Sequence, residues 1–407
     1  MKILIVSQYF WPENFRINDL AAALSERGHQ LTVLTAYPNY PDGKIFPTFL
    51  QNKKAFSTYA GIEIVRVPIV PRGSSSWALI ANYVSFVISA SLLGLWRLRG
   101  RKFDVIFVFE PSPITVGLPA VLLRWLKRAP LVFWVLDLWP ESLSAVGAVR
   151  SPKVLATVGY IVKFIYARCD LILAQSKGFI PQIKKYCLAE ARIEYFPSWA
   201  ENIYECDRST LAPEVESCSG MFTILFTGNI GVMQDFPSIL AAAELLKDHK
   251  NTRWLIVGDG RQGDWLRSEV NCRGLQDIVL LLGRYPLQRM PSFYKHADAL
   301  LVSLKSDPVV SMTIPGKVQS YLMAGLPILG MLDGQGASVI KEAEAGLVSP
   351  ASDSAGLADA VVNMLSMTAE ERTKMGARGQ LYAKREFDRT ELIERVEMWM
   401  RELHLKT

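Results

Sequence analysis

Three stretches of the chain set glycines, amides and cations at turns between strand-like and helix-like segments, where an anionic group could be held. In Pro315-Gly316-Lys317-Val318-Gln319-Ser320-Tyr321-Leu322-Met323-Ala324-Gly325-Leu326-Pro327-Ile328, Pro-Gly opens and Ala-Gly closes a short predicted helix. Lys317 falls on its first turn, where an ammonium and the helix N-terminus can share one phosphate. A solvated surface lysine would read the same way. In Phe226-Thr227-Gly228-Asn229-Ile230-Gly231-Val232-Met233-Gln234-Asp235, the small residues Gly228 and Gly231 would bring backbone N–H groups toward a cleft, as a diphosphate requires. A tight strand-to-helix turn needs the same glycines. The third stretch, Gly258-Asp259-Gly260-Arg261-Gln262-Gly263, matches G-x-G-x-x-G after a strand and before a helix. Read as a dinucleotide site, it would seat a pyrophosphate, with Arg284 after the next strand meeting the 2′-phosphate of NADP. Glycine turns of this kind are, however, common in doubly wound sheets, and this one follows the second strand of its half rather than the first.

The first half carries acids at equivalent places. Asp137 and Glu141 follow the apolar run Leu131 to Leu136, at the carboxyl edge where ligands sit in parallel sheets. Either could orient or deprotonate a hydroxyl, or instead cap the helix that begins near Pro140. Glu13, Asn14 and Arg16 follow the first strand in the same way, and Arg16 could meet an anionic ligand or pair with Glu13. Five widely spaced cysteines with no C-x-x-C pair suggest neither a disulfide framework nor a zinc site. Four scattered histidines make a His-based metal site or a serine-type triad a poor expectation.

The elements that must position these residues follow from length and pattern. A chain of 407 residues exceeds what one core usually serves, so two domains of about 200 residues are expected. With 50% hydrophobic and 21% charged residues the chain is a folded one, and a net charge of +6 is too small to argue for nucleic acid but favours an anionic ligand or membrane face. Apolar runs at Ile3 to Val6, Leu31 to Leu34, Ile62 to Val67, Val105 to Phe109, Leu131 to Leu136 and Leu171 to Ala174 alternate with helical stretches, which predicts a parallel sheet covered on both faces. The first of these runs is too short for a signal-peptide core and reads as a strand. The pattern dissolves between Ser198 and Gly220. It restarts with strands at Thr223 to Thr227, Trp254 to Val257, Ile278 to Leu282, Ala299 to Val302 and Pro327 to Leu329. The expected fold is α/β, with two doubly wound Rossmann-like domains over 1–200 and 201–388 and a helical tail, 389–407, free to pack across them.

Residues Trp77 to Trp96 form a twenty-residue run without a charge, followed by Arg97, Arg99, Arg101 and Lys102. Length alone makes it a transmembrane candidate. A span would put strands of one sheet on opposite sides of a bilayer, which leaves a buried helix or an interfacial one whose basic cluster contacts anionic head groups.

The segment P-x-K-x-x-x-Y-L-x-A-G-x-P, set between two strands, resembles the donor-site signature of the retaining GT-B glycosyltransferases of family four. Ser7-Gln8-Tyr9-Phe10-Trp11-Pro12-Glu13, Phe15-Arg16-Ile17-Asn18, Arg27-Gly28-His29, Pro38-Asn39-Tyr40-Pro41 and Asp137-Leu138-Trp139-Pro140-Glu141-Ser142 resemble the WbuB/WcaI-like subgroup in particular. These bacterial enzymes add fucose-type or N-acetylfucosamine-type sugars during surface polysaccharide assembly. The resemblance covers essentially the whole chain. It implies a metal-independent, retaining transfer from a nucleoside-diphosphate sugar, UDP-linked by expectation and needing no other cofactor. The acceptor would be a lipid-linked saccharide at the cytoplasmic face of the inner membrane. On this reading Asp137 and Lys317 are catalytic; Gly228, Asn229, Gly231, Gln234, Arg261, Arg284, Gln319 and Ser320 hold the donor; and Glu13, Asn14, Arg16 and Glu141 hold the acceptor. Two departures stand out. The family's two acidic residues eight apart are replaced by Met312 and Ser320, and its basic pair falls on Asn229 and Gln234, so Lys317, Arg261 and Arg284 are the cations left for a diphosphate. An NADP-dependent reductase and a non-catalytic partner subunit are the competing readings.

Overall fold

Alternation of apolar runs with helices produces two separate sheets in the computed structural model, which describes residues 1–73, 75–145, 151–188, 190–200, 203, 210–216, 220–249 and 251–406. The first sheet has eight strands: β1 (Lys2–Val6), β2 (Gln30–Ala36), β3 (Thr58–Tyr59), β4 (Ile62–Val67), β5 (Val105–Glu110), β6 (Leu131–Val135), β7 (Leu171–Ala174) and β8 (Ile193–Tyr195). Their order is β3-β4-β2-β1-β5-β6-β7-β8, parallel except for the short β3–β4 hairpin. The second sheet is parallel and has six: β9 (Phe222–Thr227), β10 (Thr252–Val257), β11 (Val279–Gly283), β12 (Ala299–Ser303), β13 (Ile328–Met331) and β14 (Gly346–Ser349), in the order β11-β10-β9-β12-β13-β14. Central strands such as β1, β5, β6 and β9 are apolar nearly throughout because helices cover both faces.

Chain order and strand order together fix the helix faces. The chain moves in one direction along the first sheet from β1 to β2 and β4, and in the other from β4 to β5, β6 and β7. Right-handed crossovers therefore put the helix Arg16–Glu26 on one face and the helices beginning at Ser76, Gly117 (to Lys127) and Pro152 (to Tyr166) side by side on the other. The helical segment from Ser76 to Arg97 contains a wider π-helical turn at Ala90–Gly94, and only 22% of its most apolar window is buried. One face of the segment, with Asn82, Phe86, Ser89 and Ala90, is buried, and the other is exposed. Because β4 and β5 share a sheet, the segment does not cross a bilayer.

Two compact units result, Met1–Pro197 with Thr390–Thr407, and Ser198–Arg389. The terminal helix Arg389–Leu405 belongs to the first unit through Glu397, which pairs with Arg27 (3.1 Å) and His29 (3.0 Å), and through Trp399, whose ring meets Phe196. In the second unit buried apolar clusters cover both sides of the sheet, one around Phe226, Phe236 and Trp254, the other around Phe293, Tyr321 and Leu322. Cys169, Cys187 and Cys272 are free thiols; Cys206 and Cys218 lie outside the described residues.

Candidate functional site

In the second unit the turns after β9, β10 and β11 zip together at the carboxyl edge. Gly228 N donates to the Val257 carbonyl (2.8 Å), Gly258 N to Gly283 (2.8 Å), Ile230 N to Asp259 (2.9 Å) and Gln262 N to Ile230 (3.0 Å). This packing accounts for the glycine-rich turn. A Cβ on Gly258 would stand 1.8 Å from the Gly228 carbonyl oxygen, and one on Gly260 2.3 Å from that of Ile230. The glycines of the G-x-G-x-x-G stretch thus admit a neighbouring loop of the same unit, which removes the structural reason for reading them as a dinucleotide cradle. Asn229 and Gln234 close that loop from within: Gln234 Oε1 accepts from Gly231 N (3.1 Å) and Asn229 Nδ2 (3.5 Å). Arg261 and Arg284 stand on the next two turns, exposed and in no ion pair among the described residues.

Lys317 enters this edge from the first turn of the helix Gly316–Ala324. Its ammonium lies 3.5 Å from the centroid of the Phe226 ring, and no hydrogen bond or ion pair holds it among the described residues. Burial without a counter-charge lowers its pKa from 10.5 to about 7. Gly228, with φ +123°, leaves room for it, since a Cβ there would come within 2.8 Å of Lys317 Cε. An ammonium placed beside free helix-terminal amides and glycine turns is a seat for an anion, and an anion would restore the charge that burial disfavours. The next two candidates are engaged elsewhere. Gln319 Nε2 donates to the Ser198 carbonyl (2.8 Å), and Ser320 Oγ bonds back to the Gly316 carbonyl (3.2 Å). Met312 ends a short 3₁₀ turn, Val310–Met312, just before this helix. Beneath the edge, Tyr321 OH accepts from Thr227 N (3.1 Å), and both Tyr321 and Tyr294 reach Thr227 Oγ1 (3.2 and 3.3 Å). This buried tyrosine pair, which sequence reading did not single out, fixes where β9 ends.

In the first unit Asp137 lies just beyond β6. Its carboxylate accepts from Trp139 Nε1 (3.1 Å) and from the Ser142 hydroxyl, and burial, partly offset by these donors, raises its pKa. Behind it Glu110 ends β5, fully buried; its Oε2 accepts from Asp137 N (3.4 Å) while Oε1 has no partner. Burial first, then the neighbouring Asp137 charge, push the Glu110 carboxyl well above the usual range. Glu110 was missed from sequence, although one acid closing the otherwise apolar run Val-Ile-Phe-Val-Phe-Glu was a signal. Glu141 accepts from Tyr186 OH (3.2 Å) and leaves its other carboxylate oxygen buried without a partner. Glu13 braces loops: its carboxylate takes the amides of Asn39 (2.8 Å), Tyr40 (2.7 Å) and Phe10 (3.3 Å), and burial still pushes it up to about 7. Asn14 is exposed, and Arg16 is half-buried at the start of its helix. Among the described residues no three His, Cys, Asp or Glu side chains converge as metal ligands.

Two family models match in tandem: "Glycosyl transferase 4-like domain" over residues 14–199 and "Glycosyl transferases group 1" over 221–367. The chain is a family-four GT-B glycosyltransferase. Among curated relatives, this glycosyltransferase is 24% identical to WcaI of Escherichia coli, named for colanic acid biosynthesis, over 80% of its own length and 82% of the relative's. It is 25% identical to the glycosyltransferase WbjE of Pseudomonas aeruginosa over 70% of each chain. Among solved structures, sucrose-phosphate synthase from Thermosynechococcus elongatus has the same fold, with a TM-score of 0.71 at 15% identity over 100% of this chain and 99% of that one. HepE of Anabaena, solved with UDP and glucose, has a TM-score of 0.67 at 16% identity over 98% and 99%. Lys317 and the glycine turns thus lie in the half that matches the group 1 model, and the buried Glu13 and Glu110 in the half that matches the 4-like model.

Proposed function

We propose that this glycosyltransferase moves a fucose-type or N-acetylfucosamine-type hexosyl group from a UDP-sugar to a lipid-linked saccharide in bacterial O-antigen, capsule or exopolysaccharide synthesis, working peripherally at the cytoplasmic leaflet. The observation that carries the donor half of this reading is the unpaired, half-buried Lys317 beside Gly228 and the amides of Gly316–Ala324. As the glycosidic bond breaks, negative charge collects on the diphosphate, and a preorganised ammonium and amide array stabilises it without a metal. Arg261 and Arg284 extend the cationic edge. Retention of configuration follows the family resemblance, with Asp137 orienting the acceptor hydroxyl and taking its proton as the new bond to the sugar forms, and with Glu141, Asn14 and Arg16 around it. HepE, solved with UDP and glucose, supports a UDP-linked donor, and WcaI, named for colanic acid biosynthesis, supports a place in polysaccharide synthesis.

Thermal shift across nucleotides tests the reading, followed by donor-hydrolysis assays with UDP- and GDP-sugars. UDP is expected to raise the melting temperature by several degrees and a UDP-sugar to be slowly hydrolysed. Stabilisation by NADP alone would restore the reductase. UDP binding without hydrolysis or transfer, once acceptor lipid is supplied, would mark a partner subunit that has lost its chemistry along with the acidic pair.

A further inference from the structure

We propose that the outward side of the three adjacent helices of the N-terminal unit is a docking surface for an anionic phospholipid bilayer, with the arginine groove beside Trp96 receiving a headgroup phosphate. The inference deepens the lipid-linked acceptor reading and rests on it for its biological purpose, while its physical grounds are separate. Along Ser76–Arg97 a stripe of Trp77, Ile80, Val84, Ile88, Leu92 and Trp96 faces solvent, with Trp77 80%, Leu92 67% and Trp96 60% exposed. Steps of four drift by about 40° on a straight α-helix. The π-helical turn at Ala90–Gly94 absorbs an extra residue and so holds Leu92 and Trp96 in line with the rest.

The neighbouring helices continue the surface, with Trp125 73% exposed on Gly117–Lys127 and Tyr160 75% exposed on Pro152–Tyr166. Twelve of the twenty-four exposed large hydrophobic residues among the described ones lie on these three segments, and none on the helix Arg16–Glu26 of the opposite face. Such concentration on one face is the mark of an interaction surface, and tryptophans at both ends of the stripe suit the boundary between headgroups and acyl chains.

Charge selects the partner. Where the three segments end, Arg97, Arg99, Lys102, Lys127, Arg128 and Arg168 gather at the amino edge of the sheet. The acids at that edge are largely spent: Glu63 pairs with Arg101, Asp170 with Arg124, and Asp104 accepts the Lys2 amide. A groove of about 560 Å³ opens there, walled by Trp96, Arg97, Arg99, Arg101 and Glu63, the last neutralised by Arg101, with the Arg99 guanidinium 5.2 Å from the Trp96 ring centroid. A second copy of this face would set like charges against each other, whereas an anionic leaflet complements them. The inward side of the same helix touches the acceptor-side turns: Asn82 Oδ1 accepts from Gln8 Nε2 (2.8 Å), and Tyr83 packs edge-on against Trp139, two residues from Asp137. A lipid-bound face thus adjoins the loops that a lipid-linked acceptor must reach.

Sedimentation with phosphatidylcholine vesicles, with and without phosphatidylglycerol, tests this on the full chain. Binding is expected only to the anionic vesicles. The triple variant Arg99→Gln, Lys102→Gln, Arg128→Gln should weaken it about a hundredfold, and Ile88→Asp with Leu92→Asp should abolish it. The UDP-dependent thermal shift should persist in both variants, which shows that they fold. Equal binding to neutral and anionic vesicles, binding untouched by either variant, or light scattering showing a dimer that Ile88→Asp dissociates would overturn the proposal. Loss of UDP binding by the wild type with vesicle binding retained would sink the transferase reading and leave this surface standing.

Discussion

Replacing Lys317 with alanine is expected to lower kcat/KM for sugar transfer by on the order of a thousandfold or more, while the protein still folds. The fold survives because no hydrogen bond or ion pair depends on this side chain. The chemistry does not, because this ammonium is set into the glycine turns while Arg261 and Arg284 are exposed. Its environment also predicts a pH signature. A UDP-sugar, a diphosphate diester, does not titrate near neutrality, so its affinity for the protein follows the ammonium form of Lys317. Affinity should be flat below about pH 7, where that form is full, and fall by about tenfold per further pH unit until the pKa of the complex is reached. Stability moves the opposite way. Unfolded, the lysine titrates at its ordinary 10.5; folded, at about 7. Between these values the unfolded chain binds more protons, so stability rises with pH across that window, and below it the folded protein bears the whole penalty of a buried ammonium. Lys317→Met should therefore melt at a higher temperature than the wild type at pH 7 and show a flatter profile across the window. Calorimetry and titration of a UDP-sugar at several pH values measure both, and undiminished transfer by the alanine variant would strip Lys317 of its role.

Asp137→Asn is expected to depress turnover by about a hundredfold to ten-thousandfold, the usual range for a positioned proton acceptor, with donor affinity nearly unchanged. Burial raises the Asp137 pKa and so makes its carboxylate a better proton acceptor than an exposed one. Its bonds to Trp139 Nε1 and the Ser142 hydroxyl hold it in one orientation. Asparagine keeps an oxygen for one of these donors and loses the charge, so it separates proton handling from bracing of the turn. An unchanged rate combined with a lowered melting temperature would make Asp137 a turn brace.

Much of this architecture is readable from residues alone because parallel strands buried on both faces leave unmistakable apolar runs. The strands that escaped notice, β3, β8 and β14, are short and partly exposed, and Gly-Leu-Val-Ser carries too little apolar signal to stand out. The helix after β4 shows a different limit. An uncharged twenty-residue run fits a buried element and an interfacial one alike, and the exposed stripe along it is seen only in three dimensions. Lys317 was legible as a phosphate-seeking residue by its place on a first turn. Its burial against Phe226, ninety-one positions earlier, depends on β9 and its helix meeting at one edge. Asn229 and Gln234 stand where the family keeps charge, and the latch between them needs the turn's three-dimensional course to be seen.

The helix that ends the chain has a consequence for biosynthesis. Leu392, Ile393, Val396, Trp399 and Met400 are buried, and Glu397 engages Arg27 and His29 near the start of the chain. The unit translated first therefore lacks part of its interior until residues 390–405 emerge from the ribosome, while Ser198–Arg389 can settle earlier. Maturation order runs against the order of synthesis. A stop codon after Arg389 should accordingly yield protein that is recovered poorly and in which proteolysis attacks residues 1–197 first; a truncated chain as resistant as the whole would disprove the dependence.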